Sequence, residues 1–250
     1  MGELEIAIES NNIEVLTKLY KSPKLKDLVK DSIDFIIQSE KNGNINAQNL
    51  LGYCYEHGIG VEEDTIKGIY YYKLAADQHN VFAQNNLGSC YEHGIIVEKD
   101  ISKAVYYYKL SADQNNVFSQ QKLGYCYEQG KGVEQDVKKA FYYFKLAADQ
   151  NCANAQNIVG YRYDVGLAVE QDMIMAMYYY KLSADQNDPS AQNNLGTCYE
   201  DGKGVEKDIS KAVYYYKLAA DQNTPLAQNH LGVCYETGNG VEKDMIMAMY

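Results

Sequence analysis

The sequence predicts an all-α array of small two-helix modules in place of one globular core. Three observations carry that prediction. Gly52, Gly88, Gly124, Gly160, Gly196 and Gly232 stand 36 residues apart, and so do Gly58, Gly94, Gly130, Gly166, Gly202 and Gly238. Asp64, Asp100, Asp136, Asp172, Asp208 and Asp244 keep the same interval. Proline is scarce, with 3 in 250 residues, so little in the chain interrupts a helix. A fixed period of this length marks stacked units, and stacked units offer extended binding surfaces more readily than catalytic pockets.

The module from Asp188 to Gln222 shows the elements in order. Asp188-Pro189 is an N-cap followed by proline at the first helical position. Asn44, Asn80, Asn116 and Thr224 stand at the same place elsewhere, and only Cys152 departs. A first helix, A, is expected over 189–201, with Ala191, Leu195, Cys198 and Tyr199 as its buried stripe. Gly202 ends it as a left-handed C′ residue. The loop GKGVEK follows, and its Val205 recurs as Val61, Val97, Val133, Val169 and Val241, where it fills the bend. Asp208 then caps a second helix, B, running to about Asp221 and packing through Ala212, Tyr215, Tyr216 and Ala219. Gly196 and Ala212 mark the place where the two backbones approach closely.

The recurring string A-x-x-x-L-G-x-x-Y-E-x-G-x-G-V-x-x-D-x-x-K-A-x-x-Y-Y-x-x-A-A, seen over 83–114 and 191–222, resembles the Sel-one-like repeat, a relative of the tetratricopeptide repeat. The likeness covers residues 43–250, five full repeats and a truncated sixth; residues 1–42 read as an N-terminal helical cap, with a helix from Ser22-Pro23 to Lys41. The resemblance implies a right-handed α/α superhelix (solenoid) whose members act as adaptors. Its tetratricopeptide geometry, carried over by the shared Leu-Gly pair, turns helix A toward a concave face. Three ladders then point inward. One is Asn49, Asn85, Gln121, Asn157, Asn193 and Asn229. Another is Tyr53, Ser89, Tyr125, Tyr161, Thr197 and Val233. The last is Glu56, Glu92, Glu128, Asp164, Glu200 and Glu236. Amides both donate to and accept from a peptide backbone, and the carboxylates attract lysine or arginine. Residues Asn49, Tyr53, Glu56, Asn85, Glu92, Tyr125, Glu128, Asn157, Tyr161, Asn193, Glu200, Asn229 and Glu236 are therefore the expected partner-binding set. Repeat consensus kept for capping and solubility explains the same residues without a ligand.

The partner expected is a protein or extended peptide, of basic character because the net charge is −11. Nucleic acid is not expected, since no basic stripe is visible. Nor is membrane insertion, since no apolar run approaches the roughly 20 residues needed. The tyrosine trios 70–72, 106–108, 178–180 and 214–216 cannot all face one core, so one of each is expected at the surface. His57 and His93 sit three residues after Cys54 and Cys90, but the pairs lie on separate modules and zinc needs about four converging ligands, so no metal is expected. No cofactor motif and no nucleophile–base arrangement appears, and the chain reads as a non-enzyme. Secreted relatives described as penicillin-binding or β-lactamase-like supply the hydrolase alternative; they are stitched by disulfides. Here Cys54, Cys90, Cys126, Cys198 and Cys234 fall one to a module, which suits free thiols in the cytoplasm. An AT-rich protist or viral genome fits the richness in Asn, Ile, Lys and Tyr, and for a virus that means the host cytosol. In the fourth module Arg162 replaces the core cysteine and calls for a carboxylate, Asp164 or another. Residues 245–250 copy 173–178 and stop in mid-helix, which suggests a longer natural chain or an open end able to stack on a second molecule, against a simple monomer.

Overall fold

The computed structural model describes residues 2–10, 13–95 and 97–249; Tyr250, the last residue assigned to the array, lies outside them. All regular structure among the described residues is helical. Two compact units are formed, Met1–Cys126 with Gly130–Glu134, and Tyr127–Gln129 with Gln135–Tyr250. The first holds α1 (Glu3–Ser10), α2 (Ile13–Tyr20), α3 (Leu25–Asp31), α4 (Ile33–Lys41), α5 (Ile45–His57), α6 (Thr65–Asp77), α7 (Val81–His93), α8 (Ile101–Ala112) and most of α9 (Val117–Gln129). The second holds α10 (Val137–Asp149), α11 (Ala153–Val165), α12 (Met173–Ala184), α13 (Pro189–Asp201), α14 (Ile209–Ala220) and α15 (Pro225–Thr237), then a 3-10 turn at Met247–Met249.

Within each unit the helices pair as expected. In the pair α5–α6, Glu56 faces Gly68 and Gly52, one turn earlier, faces Tyr72, one turn later, so the two run antiparallel. Side chains of Asn44, Asn80, Asn116 and Asp188 accept from the amide three residues on at 2.8–3.0 Å, which satisfies a donor the helix cannot use itself. Thr224 differs from the expectation. It makes no side-chain cap bond, and Pro225 alone sets the start of α15. Each A helix stops at a glycine in the left-handed region, such as Gly202 at φ 71°.

The N-terminal segment departs from the single helix expected over 22–41. Ser32, at φ −104° and ψ 15°, breaks it into α3 and α4. α4 also carries the repeat register further back than the motif suggests. Ile36, fully buried, stands 36 residues before Tyr72, and the Asn44 amide donates to Ser39 at 3.0 Å as Asn80 does to Ala75. One cluster joins Leu4, Ile8, Leu16, Leu19, Val29 and Ile36 to Leu50, Leu51 and Cys54 of α5.

One loop residue breaks the pattern at a cost. Gly60, Gly132, Gly204 and Gly240 all lie at φ 67–73°, and Ala168 occupies the same place at φ 68°. A side chain there costs about 1–2 kcal/mol, while glycine loses only about 0.4–1 kcal/mol through the freer unfolded chain. Ala168→Gly is therefore expected to stabilise the protein by about 0.5–1 kcal/mol, read as a rise in denaturant midpoint at constant slope. A fall in the midpoint would show that the methyl group is held by packing.

Candidate functional site

The expected binding face is built on the A helices, and its amide ladder proves to be a seam between successive modules. Asn86 donates to the oxygen of Asn49 at 3.1 Å, and Asn194 to that of Asn157 at 3.0 Å. His230 meets the oxygen of Asn193 at 3.0 Å, and the Ser119 hydroxyl donates to Asn85 at 2.9 Å. Asn49, Asn85, Asn157 and Asn193 thus have their carbonyls fixed by the next module and keep their NH2 groups for something else. Asn49 departs from the open position expected of it. Its NH2 donates to the hydroxyl of Tyr20, and the residue is 1% exposed. Asn193 is buried too, whereas Asn85 and Asn157 are half-buried and Asn229 is exposed.

The carboxylate ladder is less free than its sequence suggests. The phenols of Tyr72, Tyr108 and Tyr216, all fully buried on B helices, donate to Glu56, Glu92 and Glu200 at 2.6–2.7 Å, and Tyr180 donates to Asp164 at 3.2 Å. These bonds tie the ends of α5, α7, α11 and α13 to their own B helices. Lys122 closes on Glu92 at 2.8 Å. Burial alone would raise the Glu92 carboxyl, but the bonds from Lys122 and Tyr108 outweigh it and hold the group below the usual range. Arg162 pairs with Glu128 of the preceding module, not with Asp164. Glu92 and Glu128 are therefore neutralised from within, while among the described residues no lysine or arginine forms an ion pair with Asp164, Glu200 or Glu236. In the aromatic ladder, Tyr53 is half-buried edge-on to His57, Tyr125 is half-buried and Tyr161 is more than half exposed.

The tyrosine trios resolve as helical geometry requires. Tyr70, Tyr106, Tyr178 and Tyr214 are exposed, the middle members stack on a tyrosine of helix A, and the third members fill the core. Among the described residues no group of three or more His, Cys, Asp or Glu is placed to hold a metal. All six cysteines are free. Burial pushes the thiols of Cys54, Cys90 and Cys198 up to about 12, which suits small core residues and not nucleophiles. Sequence reasoning missed Tyr20 altogether, because only the folded chain carries it across to α5 and α7; the phenol–carboxylate pairs were legible in principle as a constant Glu-to-Tyr spacing of 16 residues.

The module just described is matched by a known family model. The Sel1 repeat covers residues 45–80, 81–116, 117–152, 153–188, 189–224 and 225–250. The chain belongs to the Sel1-repeat family. A Sel1 repeat protein from Oxalobacter formigenes is 31% identical, with a TM-score of 0.75 over 99% of this chain and 92% of that one. A protective antigen of uropathogenic Escherichia coli displaying an SLR fold is also 31% identical, with a TM-score of 0.80. That match covers 88% of this chain and 47% of the other, so this chain spans about half of that protein's length. No protein with a curated description matches the chain. Sel1 repeats in general serve protein interactions and not catalysis. No helix among the described residues is long and apolar enough to cross a membrane.

Proposed function

We propose that this Sel1-repeat chain is a non-enzymatic scaffold that holds an extended segment of a partner protein along its A helices. The observation that carries the reading is the orientation of the ladder amides. With the oxygens of Asn85 and Asn157 taken by the next module, their NH2 groups suit the carbonyls of an incoming backbone, and the side chain cannot turn to serve a donor instead. In the second unit Tyr161 and Asn229 join Asn157, and Asp164, Glu200 and Glu236 favour lysine or arginine in the partner. Residues 1–42 serve as the cover of the first repeat. Buried, unpaired thiols go with a cytoplasmic location.

Selection of short displayed peptides on the chain, followed by calorimetry of those recovered, tests the reading. Asn157→Ala combined with Tyr161→Ala is expected to weaken binding by about tenfold or more, roughly 1.4 kcal/mol. Raising salt from about 0.05 to about 0.5 M should weaken it further if the carboxylates contribute. Unchanged affinity in the double variant means that the A-helix face is not the site.

A further inference from the structure

We infer that the first unit carries a second seat for a tyrosine side chain, at Asn85 and Phe118, one module on from the seat that Tyr20 fills. The inference deepens the proposed A-helix binding face and rests on that reading. Tyr20 shows what the first seat accepts. Its ring stacks on Phe82 with centroids 4.3 Å apart and planes 18° from parallel, and its hydroxyl oxygen takes a hydrogen bond from the NH2 of Asn49. Asn49 is free to give that bond because Asn86 holds its oxygen. Under the tyrosine, Phe82 is 3% exposed.

The same two residue types recur 36 positions later as Asn85 and Phe118. The preparation is also the same. Ser119 holds the oxygen of Asn85 at 2.9 Å, and among the described residues the NH2 has only a long 3.4 Å contact with Asn86. Asn85 and Phe118 both remain half-buried where Asn49 and Phe82 are closed over. The position of Phe82 and Phe118 holds Asn46, Asn154, Ser190 and Leu226 in the other modules, so an aromatic floor beside a ladder amide is confined to these two places. The occupant is a tyrosine of a partner protein's segment. A phenol supplies both the ring that stacks and the oxygen that accepts, whereas phenylalanine supplies only the ring.

The test titrates the intact, 15N-labelled chain with the acetylated, amidated peptide Lys-Leu-Tyr-Lys, the sequence around Tyr20. Lys-Leu-Phe-Lys is the companion probe. A saturable shift of the Asn85 side-chain amide is expected, with the phenylalanine probe about fivefold weaker for want of one hydrogen bond. Phe118→Asn, which installs the residue found at 46 and 154, is expected to abolish the shift in a chain whose remaining spectrum is unchanged. Should that variant unfold, Asn85→Ala reads the same loss through the Phe118 backbone amide. Equal affinity for the two probes overturns the seat, and so does a response at Asn49 in place of Asn85, which would mean exchange with Tyr20. Shifts at Asn157 and Tyr161 without Asn85 overturn the seat and leave the binding face standing. No shift on any A helix overturns both.

Discussion

Replacing Gly196 by alanine is expected to destabilise the protein by about 2–4 kcal/mol. A Cβ built there meets Cε1 of Tyr216 at 2.4 Å and Cδ1 at 2.5 Å. The ring has nowhere to go. It is fully buried, and its hydroxyl is fixed to Glu200 at 2.6 Å. Alanine gains about 1 kcal/mol of helix propensity over glycine. Against that stand about 1–3 kcal/mol of overpacking and about 1.5–3 kcal/mol if the shifted phenol loses its carboxylate. The unfavourable terms win. At Gly160 the closest ring atom is 2.7 Å away and the phenol bond is a longer 3.2 Å, so Gly160→Ala should cost less. Equilibrium denaturation of both variants checks the order. Gly196→Ala combined with Tyr216→Leu should recover part of the loss, since the added methyl then fills space instead of striking a ring. A single variant as stable as the parent would show that the two helices part easily, and that their close approach does not hold the module together.

The helices were legible because their punctuation is chemical and local. An Asn or Asp at most starts and a left-handed glycine at the end of each A helix fix boundaries by hydrogen bonds within four residues, and α13 begins and ends where Asp188 and Gly202 place it. That one tyrosine of each trio lies at the surface was legible for a similar reason, since three successive helical residues point in three directions, though not that it is the first. What was hidden depends on partners far away in sequence. Asn49 reads as an open ladder amide until Tyr20 is seen to cover it. Glu92 and Glu128 read as a free acidic row until Lys122 and Arg162 arrive from the next module. α4 follows the spacing of a B helix, but Ile36 stands where the tyrosine should be, and the motif is lost at its most visible letter. Repeat consensus therefore predicts scaffold better than site, because the site lies where modules differ or meet.

The departure at the third and fourth modules makes this point most sharply, and it yields the second large expected effect. Four modules seat a buried tyrosine against a carboxylate; the third has Phe144 at that place, which cannot donate to Glu128. The fourth module has Arg162 where the others carry a core cysteine, and its guanidinium lies 5.3 Å over the Phe144 ring with Nη2 on Glu128. The two exchanges read as one. Removing the phenol left an acceptor without a donor, and the arginine supplies the donor from the next module. The substitute is imperfect, since Arg162 is 1% exposed and its Nε and Nη1 have no hydrogen-bond partner among the described residues. Glu128→Gln should accordingly cost about 2–4 kcal/mol, because a cation buried this deeply loses the counter-ion it is paired with, somewhat relieved by the exposure of Glu128 itself. Arg162→Cys alone should also destabilise, by about 1–3 kcal/mol, through the space it vacates. The pair Arg162→Cys with Phe144→Tyr restores what the other modules have, and is expected to be neutral or stabilising by about 1–4 kcal/mol, as when a buried ion pair gives way to a packed core. The coupling between the two changes in a double-mutant cycle should be favourable by about 0.5–3 kcal/mol. If the single effects simply add, the arginine and the phenylalanine drifted independently, and the charge at the heart of the fourth module answers to something other than the missing hydroxyl.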